Sequence, residues 1–181
     1  MHDFNWQPAL FGSRLKLRPL TDSDFEDMFL AASDPGIWAG HPASDRHERP
    51  VFAAYFAARL ATAKTLTITD SESGQIVGMS SYYVPPDLPE SIAIGYTFLV
   101  RAQWGGDANR ELKDLMLAHA FKAYDTVYFH IAPTNIRSQK AALKIGAKHL
   151  YDAELQLSAV PAWCQCYGLT RAVWEASRQN A

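Results

Sequence analysis

Two consecutive glycines, Gly105 and Gly106, stand where an apolar run from Ile92 to Val100 gives way to a strongly periodic segment beginning at Ala108. A strand that passes through such a junction into a helix can aim several backbone N–H groups at one point. The first helical turn has donors without intrahelical partners and a partial positive charge, so the junction is a candidate anion seat. Glycines let the backbone approach a ligand with no Cβ in the way. An ordinary Gly-containing turn looks the same in one isolated segment, and the rest of the chain must discriminate. The other reactive pair is Cys164 and Cys166. Their spacing puts both on one face of an expected strand, which is not a disulfide framework. A C-x-C pair needs a second pair or a nearby His to hold a metal, and the neighbouring sequence supplies neither, so no metal is expected.

The elements that would position these residues follow from periodicity. Arg14 to Arg18 alternates polar and apolar residues, a half-buried strand closed by Pro19. Thr21 to Asp24 supplies capping residues ahead of Phe25, Met28, Phe29 and Ala32, which line one helical face. Asp34-Pro35-Gly36 ends that helix, residues 37–49 read as a loop, and residues 51–63 read as a second helix. Strands are expected at 65–69, 76–84 and 91–100, the last two separated by the proline-rich stretch 85–89. A helix over 108–123 turns Leu112, Leu115, Met116 and His119 to one side and Arg110, Glu111, Lys113 and Asp114 to the other. A strand at 126–131, a helix over 135–145 stopped by Gly146, strands near 149–157 and 163–170, and a short terminal helix complete the order. A hairpin followed by a strand–helix–strand crossover makes this a mixed α/β sheet, read as one domain over residues 1–181.

Bulk properties exclude several classes. The 181 residues carry a formal charge of −2, which gives no electrostatic footprint for nucleic acid. No apolar run approaches the roughly 20 residues of a membrane span. The N-terminal segment from Met1 to Trp6 lacks the basic-then-apolar layout of a secretory leader. With sparse, non-framework cysteines, a cytoplasmic setting is expected. No Gly-x-x-x-x-Gly-Lys-Ser/Thr is present, so a P-loop nucleotide enzyme is not supported.

With that order in hand, two segments resemble the GNAT acetyltransferase superfamily, in particular the branch related to the N-terminal acetyltransferases of ribosomal proteins. One is Trp104-Gly-Gly-Asp-Ala-Asn109 followed by Glu111-Leu-Lys113. The other is Asn135-Ile-Arg137-Ser138 continuing through Ala141 and Lys144 to Gly146, similar to the family's Asn-x-x-Ser-x-x-Ala-x-x-Lys-x-Gly helix. Leu17-Arg18-Pro19-Leu20 with Asp24 also looks like the branch's opening. The resemblance runs over roughly residues 10–175 and implies a single-domain GNAT-like α/β (α+β) fold. That fold has a mixed, mostly antiparallel sheet of six to seven strands, a central splayed pair and helices on both faces. It implies acetyl-CoA as donor, its arm pairing with backbone around Phe98, Leu99 and Val100. The diphosphate would rest on backbone N–H groups of Gln103, Trp104, Gly105, Gly106, Asp107, Ala108 and Asn109. Asn135 would meet the arm, and Arg137 or Lys140 a nucleotide phosphate. Plain roles stay open for these residues: a helix cap for Asn135, solvated charges for Arg137 and Lys140, packing for Trp104.

The departures are chemical. Relatives usually close the loop on Gly or Ala, where this chain has Asp107. A carboxylate facing a diphosphate repels it, so Asp107 is expected to turn back and cap the helix at Ala108. The Glu that many relatives carry before the Ile-Gly-aromatic triplet is Ala93 here, and their late-helix Tyr falls on Ala142. By the resemblance, Ser138 is then the candidate acid for the departing thiolate, with a structural hydroxyl as its other reading. Candidates for the base are Asp87, Glu90, His130, His41 and His47, with no assignment among them. Trp38, Tyr55, Tyr82, Tyr83 and Tyr96 are candidates to line the acceptor pocket, and Tyr82 and Tyr83 point to opposite faces. The expected function is acetyl transfer to a primary amine, on a protein N-terminus or a small molecule, by direct attack in a ternary complex. A catalytically weak acyl-CoA-binding or sensing protein is the alternative. Monomer and homodimer both stay open.

Overall fold

The computed structural model describes residues 4–179. Residues 1–3, part of the segment read for a leader, and residues 180–181 lie outside the described residues. The strands are β1 (Leu10–Phe11), β2 (Leu15–Pro19), β3 (Thr65–Asp70), β4 (Ile76–Tyr83), β5 (Ile92–Leu99), β6 (Thr126–Ile131), β7 (Lys148–Leu155) and β8 (Ala162–Thr170). The helices are α1 (Phe25–Ala32), α2 (Pro35–Trp38), α3 (Arg49–Ala61), α4 (Ala108–Ala120), α5 (Ile136–Lys144) and α6 (Arg171–Gln179), with 3₁₀ turns at Asp22–Asp24 and Arg101–Gln103. The eight strands form one mixed sheet in the order β1-β2-β3-β4-β5-β6-β8-β7. The pairs β1–β2, β2–β3, β3–β4, β6–β8 and β7–β8 are antiparallel, and β5 runs parallel to β6.

Two elements differ from the sequence reading. The sheet has eight strands rather than six or seven, because β1 is a two-residue strand too short for any alternation to show. Asp34-Pro35 does not merely end α1. The Asp34 carboxylate accepts the Gly36 N–H at 2.8 Å and Pro35 opens α2, the usual cap-then-proline start. Ile37 and Trp38 of that short helix are buried, and burying such side chains gains about 2–3 kcal/mol each, which offsets the cost of nucleating a single turn.

The chain's contacts group into two compact units. The first comprises residues 1–39, 43–82 and 96–116. Its core is Leu20, Met28, Ile37, Trp38, Phe52, Phe56, Met79 and Phe98, with Trp104 packed against it. Asp24 is buried there. Burial alone would raise its pKa, but the Arg18 guanidinium at 2.6 and 2.8 Å, the Thr21 N–H and the Thr67 hydroxyl outweigh this and hold it below the usual carboxylate range. The second unit comprises residues 40–42, 83–95 and 117–181. In it β8 pairs with both β6 and β7, and α6 sets Trp174 against Phe121 with ring centroids 5.2 Å apart. Gly146 follows α5 at φ +92°, the left-handed stop that favours glycine. The pairing of β7 with β8 shifts register between His149 and Tyr151.

Candidate active site

In the first unit the junction after β5 is a backbone construction. The Val100 N–H donates to the Val77 carbonyl at 2.8 Å, and the Leu99 carbonyl accepts from the Trp104 indole at 2.9 Å. The Val100 N–H is therefore already paired within the sheet. The 3₁₀ turn then ties Gln103 N–H to the Val100 carbonyl at 2.9 Å and Trp104 N–H to the Arg101 carbonyl at 3.0 Å. The Gln103 and Trp104 N–H groups are thus paired within the turn, and Gly105 is the first residue beyond it. Gly105 has φ +73°, a conformation that disfavours any other residue. A methyl added to Gly105 or Gly106 would meet nothing within 4 Å, so the space before this loop is open. Gly105, Gly106 and Asp107 are exposed, and buried Ala108 starts a helix 13 residues long. Asn109 is half-buried on its first turn.

Asp107 occupies the cap position by its backbone, since its carbonyl accepts the Glu111 N–H at 2.8 Å. Its carboxylate does something else: it lies 3.8 Å from Arg14 Nη2, both side chains being exposed. The expected backbone cap gives way to a nearby cation, which also offsets the negative charge at the loop. Two residues on the face opposite the apolar stripe of α4 are engaged. Glu111 accepts from the Arg14 N–H at 3.0 Å and the Ser13 hydroxyl at 3.3 Å, pinning the turn between β1 and β2 to α4. Lys113 donates to Thr97 Oγ1 at 3.3 Å, and Thr97 in turn shares a 2.7 Å hydrogen bond with Ser80. Burial pushes the Lys113 ammonium down to a pKa of about 8. Helical spacing had placed both residues on the solvent side. Only the polar pockets on adjoining elements, which no periodicity reports, could have shown otherwise.

Tyr96 of β5 carries φ +52°, an outlier for a non-glycine residue inside a strand and a mark of local distortion. The surroundings hold it in place. Tyr55 donates to its carbonyl at 3.2 Å, and the Arg59 guanidinium lies 3.8 Å from its ring centroid. Arg46 stacks on Tyr55 at 3.9 Å and on Trp38 at 5.5 Å. Trp38 and Tyr82, both sequence candidates for the acceptor pocket, belong instead to the core. Trp38 donates to the Ala32 carbonyl, Tyr82 to the Met116 carbonyl, each at 2.8 Å.

In the second unit β5 pairs with β6 at Ile92 with Val127 and at Ala93 with Tyr128. His130 lies further along β6. Its Nδ1 shares a 2.8 Å hydrogen bond with the Tyr83 hydroxyl, and its Nε2 stands 3.7 Å from Asp87 Oδ1. Burial lowers the His130 pKa, with Asp87 pulling the other way. The second Asp87 oxygen accepts from the Tyr151 hydroxyl at 2.6 Å. Of the other base candidates, Glu90 is exposed and His47 bonds the Ser44 carbonyl through Nδ1 at 3.0 Å. At the start of α5, Asn135 Oδ1 accepts the Ser138 N–H at 3.2 Å, which is the helix-cap role. Ser138 is half-buried, while Arg137 and Lys140 are exposed. Ala93 and Ala142 are buried, so neither position offers a proton-transfer group.

Residues 14–148 match the acetyltransferase (GNAT) domain family. Among curated proteins, none matches the sequence. Among solved structures the fold is similar to a GCN5-related N-acetyltransferase from Brucella melitensis, with TM-score 0.80 and 15% identity over 96% of this chain and 83% of that one. It is also similar to an acetyltransferase (GNAT family) from Bacillus anthracis, with TM-score 0.68 and 15% identity over 90% and 98%. A third is Mycobacterium smegmatis RimJ in complex with CoA-disulfide, with TM-score 0.66 and 15% identity over 93% and 90%.

Proposed function

Because the chain belongs to the GNAT acetyltransferase family, we propose that it moves an acetyl group from acetyl-CoA to a primary amine, on a protein N-terminus or a small molecule. The observation that carries this reading is the open, glycine-lined backbone from Gly105 to Asn109 at the head of α4. Helix-start N–H groups and the helix dipole suit a diphosphate. Arg14 keeps the Asp107 charge partly compensated beside it. In the reaction the neutral amine attacks the thioester carbonyl, the C–S bond breaks, the thiolate gains a proton and the amine loses one. The distorted backbone at Tyr96 is the candidate source of an N–H for the developing oxyanion. Ser138 is the candidate proton donor, its backbone fixed by Asn135. An amine that arrives neutral needs only water to carry its proton away. A cytoplasmic setting fits the two cysteines, which are present as thiols.

A second reading, acyl-CoA binding with little turnover, is favoured by Ala93 and Ala142 alone. One experiment separates the two. Acetyl-CoA affinity is measured by calorimetry, and thiol release is followed against a panel of amines and peptide N-termini. Binding with turnover on at least one acceptor is expected. Binding without turnover on any acceptor transfers the case to the second reading, and absence of binding overturns both. In the same assay Asp107→Gly is expected to keep or tighten acetyl-CoA binding, since it removes a carboxylate and releases Arg14. A loss beyond about tenfold, or 1.4 kcal/mol, would mean that Asp107 holds the loop in shape.

A further inference from the structure

Asp87, His130 and Cys166 come from three separate segments: the proline-rich loop after β4, strand β6 and strand β8. One ligating atom from each lies within 4.8 Å of the other two. We propose that these three residues bind a single divalent transition-metal ion of the zinc class.

Three features of the cluster suit a bound cation. The His130 side chain is fully buried, yet its Nε2 has no hydrogen-bond partner. The nearest acceptor, Asp87 Oδ1, is 3.7 Å away, too far for a hydrogen bond but close to the edge of a tetrahedron of metal ligands. Among the described residues, Asp87 has no Lys or Arg partner, although its side chain is only 22% exposed. A carboxylate and a thiolate together carry two negative charges, which a dication neutralises. On binding, Cys166 would release its thiol proton to solvent and coordinate as thiolate.

The surrounding groups suit that role. Tyr83 holds the remaining His130 nitrogen at 2.8 Å, which fixes the ring and leaves Nε2 as the ligating atom. Tyr151 holds the second Asp87 oxygen at 2.6 Å. Both non-ligating positions are thus already oriented, the arrangement that metal-bound imidazoles and carboxylates use. One sulfur, one nitrogen and one oxygen favour a borderline-soft ion over calcium or magnesium. Three protein ligands leave a fourth tetrahedral position for water or a small ligand. The C-x-C spacing alone could not reveal the site, because Cys164 is not part of it and the other two ligands are remote in sequence.

The test uses the full chain after dialysis against a chelator, titrated with Co²⁺ and Zn²⁺. About one Co²⁺ per chain is expected, with visible bands of tetrahedral cobalt and a thiolate-to-cobalt charge-transfer band. Zn²⁺ should displace it stoichiometrically. Cys166→Ser should remove the charge-transfer band, and His130→Ala should weaken binding more than about tenfold. Tyr83→Phe, which leaves all three ligands and the packing in place, should weaken it about tenfold. His149→Ala, removing an exposed imidazole that pairs with Asp152 on β7, should change nothing. Failure of the wild-type chain to retain either metal overturns the proposal. So does retention that is unchanged in both Cys166→Ser and Tyr83→Phe.

Discussion

Lys113 sets two energies against each other. Its ammonium is held at a pKa of about 8 by burial, against an ordinary 10.5, while it gains a 3.3 Å hydrogen bond to Thr97. The depression corresponds to about 3 kcal/mol of destabilisation when the group is charged, and a hydrogen bond from a charged donor returns about 2 kcal/mol. Below pH 8 both folded and unfolded chains hold the proton, so the penalty is complete. Between that pH and the unfolded value the unfolded chain binds more protons, and stability therefore rises with pH. Lys113→Met is expected to be more stable than wild type at pH 7 by about 1 kcal/mol, with the gap closing toward pH 10–11. Urea unfolding across that range measures it. A variant less stable at pH 7 would show that the Thr97 bond outweighs the desolvation. Nothing in the sequence announces this residue, since its helical position reads as solvent-facing and the Thr97–Ser80 hydroxyl pair that receives it lies on two strands.

At the scale of elements, the cap on α5 is the simplest claim to isolate. Asn135→Ala removes the acceptor for the Ser138 N–H and should cost about 1 kcal/mol in chemical denaturation, while Asn135→Asp keeps most of the stability. If Asn135→Ala is neutral for folding but depresses acetyl-CoA affinity, the side chain serves the ligand rather than the helix. Most elements were legible because each has a local signature: alternation in β6, caps ahead of α1, Gly146 closing α5. The misread ones lack it. Asp34-Pro35-Gly36 fits a helix end and a helix start equally well, and only the burial of Ile37 and Trp38 decides. The glycine junction before α4 was legible as a candidate anion seat, but which N–H groups the turn ahead of it pairs was not. Whether Gln103 and Trp104 spend their N–H groups on a 3₁₀ turn depends on backbone angles that those residue types leave open. The Asp87–His130–Cys166 group lay further out of reach, since each member is ordinary in its own segment.

For the molecule as a whole, ligand binding should register as stability. Acetyl-CoA at about one hundred times its dissociation constant adds about 2.7 kcal/mol to the folded state. For a chain of 181 residues that raises the melting temperature by about 5–10 °C. Differential scanning calorimetry with acetyl-CoA, and with adenosine alone as control, checks it; an unmoved transition at saturating acetyl-CoA would remove the donor assignment. The register shift in β7 has a different consequence, for encounters between copies. An outermost strand with its N–H and C=O groups unspent is a template on which another chain can zip up. At one end of this sheet the template is β1, only two residues long. At the other, β7 is eight residues long, but its pairing is broken between His149 and Tyr151, and Lys148, Asp152 and Glu154 stand exposed along it. The irregular backbone and the charges deny an incoming strand a continuous ladder, so this edge resists fibrillar growth without needing a neighbour to cover it.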